Sequence, residues 1–276
     1  MASILNNVAA LGASRQLSVT GMGLQQTIER LTTGKRINRA SDDAAGLGIS
    51  NKLGADIRIT NQARRNANDG VSYLQVADGV LDEVTSLLTR AAELSQQAQT
   101  GTISNTNRQN LDAEFQNIIK TMADIGQSTK FNGQTVFSTT AVSIAVGGFT
   151  SVGFTVGTIS SNATAALGLT AGSGATSSKL TSATYAAAAQ TLVTTALDNV
   201  SNLRATLGAT MQQLNSVSNA LGIQSENFTA AYSQIRDANI ADEVVNLTKF
   251  QILNQSGTNA LSQANQSSQQ LLSLLR

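Results

Sequence analysis

Residues 28–50, IERLTTGKRINRASDDAAGLGIS, decide how this chain folds. The stretch opens with helical spacing at Ile28 and Leu31 and breaks at Gly34. It then gathers Lys35, Arg36 and Arg39, and turns to Ser41, Asp42, Asp43 and a run of small residues. Cations suit the last turn of a helix, where backbone carbonyls lack partners, while Ser and Asp suit the first turn of the next. Gly34, Arg36, Arg39, Asp42 and Asp43 therefore read as a joint between two helices. The competing reading, a catalytic or phosphate-binding site, finds no partner residue to work with.

Composition removes most of those partners from the whole chain. The 276 residues contain no His, Cys, Pro or Trp, and charged residues make up 13%, about half the usual share. Imidazole and thiolate metal sites and every His- or Cys-based catalytic dyad are excluded. A net charge of +1 supplies no field to attract nucleic acid or an acidic membrane. No stretch reaches the roughly 18 apolar residues that suggest a membrane span. The N-terminus, MASILNNVAALGAS, lacks the basic-then-apolar pattern of a cleaved signal peptide.

Nucleotide motifs fail on their own spacing. GMGLQQ at 21–26 has Gln26 where a dinucleotide fingerprint needs its third glycine, and TTGKR has Arg36 where a phosphate loop needs Ser or Thr. Acidic pairs such as Asp42/Asp43, Asp82/Glu83 and Asp242/Glu243 are adjacent in sequence. On a helix such neighbours diverge, which suits helix starts and solvated faces better than shared acid–base work. No enzyme, cofactor or metal is expected.

Outward from the joint, helical periods dominate. From Leu53 apolar and small residues alternate at steps of four and three: Ile57, Arg64 and Val71 mark one track, continued by Leu74, Leu81 and Leu88 at intervals of seven, and Leu53, Thr60 and Ala67 a second. A single helix over 43–100 would be about 87 Å long, more than a compact core needs. A shorter helix from Arg108 to Gln127 follows, with Leu111, Phe115, Ile118, Met122 and Ile125 on one face. Residues 131–178 contain no charged residue and are rich in Val, Ile, Phe, Thr and Gly, predicting one or two β-hairpins and then a Gly/Ser/Thr/Ala loop. From Ala183 the helical period resumes through Leu192, Leu203, Leu207, Leu214, Val217 and Leu221. It continues through Ile240, Val244, Leu247, Gln251, Asn254, Thr258 and Leu261 to LLSLLR.

The two chain ends carry apolar stripes with no obvious partner. Ile4, Val8 and Leu11 form one short stripe, and Leu17, Leu24, Ile28 and Leu31 another, interrupted by Gly12, Gly21 and Gly23. Glycine in a helix costs about 1 kcal/mol relative to Ala, and a C-terminal seam with Gln, Asn and Thr gains little by burial alone. Both ends read as amphipathic segments awaiting association. The expected fold is mainly α: a long antiparallel helical bundle or coiled coil with a small β-hairpin insert, its N- and C-terminal halves packing together. The expected domains are 1–42 with 236–276, 43–137 with 183–235, and the short insert 138–182 without a large outer domain.

The wording of the sequence also resembles a known family. The joint itself, QARRNANDGVSYLQVADGVLDEV and STKFNGQTVF resemble the N-terminal region of bacterial flagellins. SQIRDANIADEVVNLTKFQILNQSGTNALSQANQ followed by LLSLLR resembles their C-terminal region. The resemblance covers residues 1–137 and 185–276. It implies a structural subunit that polymerises into the flagellar filament, a homo-oligomer of many copies, used for swimming and located outside the cell. The alternative within the same superfamily is a hook–filament junction protein. Export would be by the flagellar type III apparatus without a cleaved signal, with cap and junction proteins and an export chaperone as partners.

The same resemblance implies an inner-tube coiled coil made by the two chain ends. Ile4, Val8, Leu11, Leu24, Ile28, Leu31, Leu247, Leu261, Leu271, Leu272 and Leu275 are its expected polymer contacts. Gly34, Arg36, Arg39, Asp42 and Asp43 would form the spoke between tube and rod, with Ala44, Ala45, Gly46 and Gly48 allowing neighbouring subunits to approach. A Toll-like receptor is a further implied partner, with Leu88, Arg90 and Glu114 as its candidate surface. Thr89 departs there from the glutamine common among strongly detected flagellins.

Overall fold

A computed structural model describes residues 7–147, 151–157, 159 and 179–274 of the chain. Among these residues there are five helices: α1 (Val8–Thr33), α2 (Ala44–Gln99), α3 (Asn105–Ser128), α4 (Ala183–Arg236) and α5 (Ile240–Leu274). Between α3 and α4 lie two small antiparallel hairpins, β1 (Lys130–Phe131) with β2 (Gln134–Thr135) and β3 (Val142–Ile144) with β4 (Val152–Phe154). The mainly α fold with a small hairpin insert is thus the one expected. Ile4 and Leu275, and the loop expected over 160–178, lie outside the described residues, as do the side chains of Leu271 and Leu272.

Two compact units divide the chain. One is built from residues up to Ile57 and from Glu226 onward, the other from Arg58 to Ser225. The expected divisions at 42/43 and 235/236 fall inside the first unit, and the described part of 138–182 belongs to the second. The difference has a local cause: α2 and α4 run through the points of division without a helix break, so no turn residue in the sequence marks them.

The second unit has a continuous apolar core. On α2 the buried positions Thr60, Ala63, Ala67, Gly70, Leu74, Ala77, Leu81, Val84, Leu88, Ala91, Ser95 and Ala98 alternate at three and four, and Tyr73 and Leu94 are buried beside this track. This corrects the track drawn from sequence. Leu74, Leu81 and Leu88 continue from Thr60 and Ala67, whereas Arg64 is exposed and Val71 only partly buried. On α4 the core positions are Ala186, Ala189, Val193, Ala196, Val200, Leu207, Leu214 and Leu221, with Phe115, Ile118, Ile119 and Met122 supplied by α3. The long runs of Ala and Leu at these heptad positions allow close helix approach and a sealed interior.

Polar anchors close the ends of this core. Arg108, buried at the start of α3, donates to the carbonyls of Ala98 (2.8 Å) and Thr100 (3.0 Å) and so caps the C-terminus of α2. The β1–β2 turn is Asn132–Gly133, both at positive φ, the pairing that a two-residue hairpin turn favours. Tyr73 packs edge-on against Phe131 and donates its hydroxyl to the Val136 carbonyl at 3.0 Å. Burial pushes the Tyr73 phenol above its ordinary pKa. After the insert, the Leu180 amide donates to Asp112 Oδ1 at 2.7 Å, tying the returning chain to α3.

Candidate functional site

The first unit holds the joint and the terminal helix pair. Helix α1 ends at Thr33 because Gly34 takes the left-handed conformation, φ 68°, which an L side chain rarely adopts. The chain then runs beside the α4–α5 link. Arg36 N–H donates to the Arg236 carbonyl at 2.7 Å, Ala238 N–H donates to the Gly34 carbonyl at 3.0 Å, and Lys35 and Asp237 form an antiparallel bridge. Arg36 also donates through its guanidinium to the Ile235 carbonyl at 3.0 Å. The cation expected at the end of α1 therefore caps the end of α4, which the backbone bridge brings alongside.

The other charges of the joint have separate roles. Arg39 pairs with Glu29 at 2.9 Å. Asp42 Oδ2 accepts from the backbone N–H groups of Asn38 (3.1 Å) and Arg39 (3.0 Å), and Oδ1 accepts from the Gln26 amide. The Arg39 and Asn38 N–H groups, helped by the Arg30 charge and Gln26, hold the Asp42 carboxyl below its ordinary pKa. Asp43, not Asp42, starts α2: its Oδ1 accepts from Gly46 N–H at 2.8 Å. A Cβ at Gly46 would collide with the Asp43 carboxylate and lie 2.8 Å from Ile37 Cδ1. The small residue at 46 thus serves the capping turn of its own chain, while a Cβ at Gly48 meets nothing within 4 Å.

Helices α1 and α5 pack antiparallel. Arg30 meets Glu243, Gly23 meets Phe250, Gly257 meets Leu17, and Asn7 donates to the Ala264 carbonyl. The inward residues of α1 are Ala10, Ala13, Leu17, Thr20, Leu24, Thr27 and Leu31; those of α5 are Glu243, Leu247, Phe250, Asn254, Gly257, Leu261 and Ala264. Of the expected polymer contacts, Leu24, Leu31, Leu247 and Leu261 sit on this seam within the chain. Val8 and Leu11 stand 72% and 63% exposed, and Ile28 is also exposed. The stripe read on α5 splits in the same way: Leu247, Asn254 and Leu261 face α1, while Ile240, Val244, Gln251 and Thr258 face outward. Val245 and Ile252 add to that outer apolar face.

The receptor surface inferred by resemblance is corrected at one position. Leu88 is fully buried in the core of the second unit and offers nothing to a partner. Arg90 and Glu114 are exposed and bonded to each other, Nη2 to Oε1 at 2.8 Å, with Glu93 on Arg90 Nη1 at 3.0 Å. These carboxylates, Glu114 first, raise the Arg90 pKa. Among the described residues no cluster of acidic side chains could hold a metal, and no helix is long and apolar enough to cross a membrane.

A heptad-built helical unit, together with a terminal helix pair whose outer faces stay apolar and exposed, defines an assembly protein of structural type. The bacterial flagellin N-terminal helical region matches residues 4–141, and the bacterial flagellin C-terminal helical region matches residues 190–275. The chain belongs to the bacterial flagellin family. Flagellin FlaB1 of Treponema pallidum (strain Nichols) is 37% identical over 286 residues, covering 99% of each chain. The flagellar filament 30.7 kDa core protein of Treponema maltophilum is 36% identical, and a flagellin of Halalkalibacterium halodurans 37%, each again over 99% of both chains. The crystal structure of Bacillus cereus flagellin aligns with 61% of this chain and 94% of its own, at 26% identity and a TM-score of 0.48.

Proposed function

We propose that this chain is the subunit of a bacterial flagellar filament, polymerising with copies of itself for swimming. It is a structural protein and not an enzyme. The observation that carries the reading is the outer apolar face of the α1–α5 pair, with Val8, Leu11, Ile252 and their neighbours left in solvent by a chain that seals its other core completely. Exposed large side chains along one helix pair are costly unless something covers them, and further copies of the same pair supply a cover of matching chemistry. Val8, Leu11 and Ile28 are then contacts between subunits. Leu24, Leu31, Leu247 and Leu261 hold the pair together from within, and Gly34, Arg36, Arg39, Asp42 and Asp43 fix the spoke.

Deleting the last ten residues tests this directly. Purified full-length protein forms long filaments by electron microscopy and the truncated protein forms none; normal filaments from the truncated chain would refute the role of the chain ends. Export unfolded through the flagellar type III apparatus, with a chaperone, and addition beneath a cap beyond the junction proteins complete the reading. Their support is the family and a chain without cysteine to cross-link in transit. For the Toll-like receptor, Arg90 and Glu114 remain as the exposed candidate pair. Arg90→Ala lowers signalling in a receptor reporter assay, and unchanged signalling removes that partner.

A further inference from the structure

The α1–α5 seam poses a problem of register. Leu17, Leu24 and Leu31 recur every seven residues on α1, and Leu247, Asn254 and Leu261 do so on α5. Sliding one helix past the other by seven residues therefore returns every one of these leucines to a seam position, and the leucines alone do not select the observed pairing. Besides the backbone bridge at the joint and the Asn7 bond to the Ala264 carbonyl, three side-chain contacts along the seam break the degeneracy. The Phe250 ring fills the space over Gly23, where a Cβ would lie 2.7 Å from its carbons. Leu17 fills the space over Gly257, and Arg30 Nη1 meets Glu243 Oε1 at 3.3 Å.

Of these, the ion pair is the one whose loss in a shifted register is most severe. Glu243 is only 7% exposed. A slide of seven in one direction sets it level with Gly23 and Phe250 level with Gln16. The opposite slide carries it past the end of α1 and sets Phe250 level with Arg30. In the first register a buried carboxylate lacks its counter-charge, which is strongly unfavourable, and in the second the Arg30–Glu243 pair is parted. The pair is at the same time a poor source of stability, since Arg30 Nε and Glu243 Oε2 are both buried and have no hydrogen-bond partner among the described residues. A half-satisfied buried pair at a core position of a helix pair stabilises little but discriminates strongly between registers.

We infer that Arg30 and Glu243 are specificity-determining residues that lock the register in which the chain ends pair, and hence which apolar residues the pair presents to other copies. The inference rests on the reading of the α1–α5 pair as the polymer-forming element.

The chain has no cysteine, so engineered cysteines report register without background. A Cβ at Gly257 lies 4.0 Å from the Leu17 Cβ, within the range a disulfide spans. Leu17→Cys with Gly257→Cys therefore reads the observed register; Leu24→Cys or Ala10→Cys with Gly257→Cys reads a slide of seven either way. In the full chain under mild oxidation, the first pair cross-links and the other two do not. Adding Glu243→Arg or Arg30→Glu lowers the first cross-link roughly tenfold, and the swap Arg30→Glu with Glu243→Arg restores it. Should a single change abolish cross-linking in every register, recovery in the swap still supports the lock and its failure overturns it. Unchanged cross-linking of the first pair in both single variants also overturns it. Sedimentation of filaments from the same variants separates the two readings. A shifted register with normal filaments keeps the lock and removes the α1–α5 pair as the polymer core.

Discussion

The core of α2, α3 and α4 and the seam of α1 and α5 are written in the same heptad grammar, yet they reach different ends. In the former, Leu74, Leu81, Leu88, Leu207, Leu214 and Leu221 are sealed from solvent at every step. In the latter, Thr20, Thr27, Asn254 and Gly257 take up core positions, while Val8, Leu11, Val245 and Ile252 are left outside. Large apolar side chains placed inward stabilise a chain by itself; the same side chains placed outward stabilise only an assembly. The contrast teaches that one heptad pattern can seal a core in one helix group and leave large apolar side chains outside in another, the faces proposed above to meet other copies.

Core substitution gives the largest expected effect. Leu88→Ala should cost about 2–5 kcal/mol, read as a lower denaturant midpoint of the monomer; a midpoint unchanged from the parent would break the contrast. Val8→Ser with Leu11→Ser should do the opposite. Monomer stability stays within about 0.5 kcal/mol of the parent, while filament yield in a sedimentation assay collapses. A smaller effect falls on the joint. Gly46→Ala forces a Cβ against Asp43 and Ile37 and should cost about 1–3 kcal/mol, seen as faster amide exchange in the first turn of α2.

The smallest effect is the titration of Asp42. Its folded pKa is depressed by the Arg39 and Asn38 amides. Its contribution is therefore present above the ordinary carboxyl pKa and is lost as pH falls through the lower folded value. Amide exchange at Asn38 and Arg39, corrected for intrinsic rates, should speed up only in acid, and Asp42→Asn should remove that dependence.

Much of this was legible in the sequence because heptads leave an unbroken trace. The Leu and Ala positions of α2 and α4, the glycine stop at Gly34 and the Asn132–Gly133 turn all follow from local rules. The positions that local spacing does not settle have a common physical cause. Arg64 and Val71 fall off the Leu74 track because spacing of seven fixes a period but not its phase, and only the partner helix chooses between adjacent faces. Ile240 and Val244 part from the seam of Leu247 for the same reason. Leu88 does not share a surface with Arg90, because two residues apart on a helix point to different sides. The target of Arg36 was illegible because the carbonyl it caps comes from the other end of the chain, about two hundred residues away.

The backbone bridge beside the joint has a mechanical side. Arg36 to Arg236 and Ala238 to Gly34 run antiparallel between two links that leave their helices together. A pull along either link loads both hydrogen bonds at once, in shear, instead of peeling them one after the other. For a strand of polymer that is twisted and bent as it turns, two short connections stitched in this way yield together or not at all.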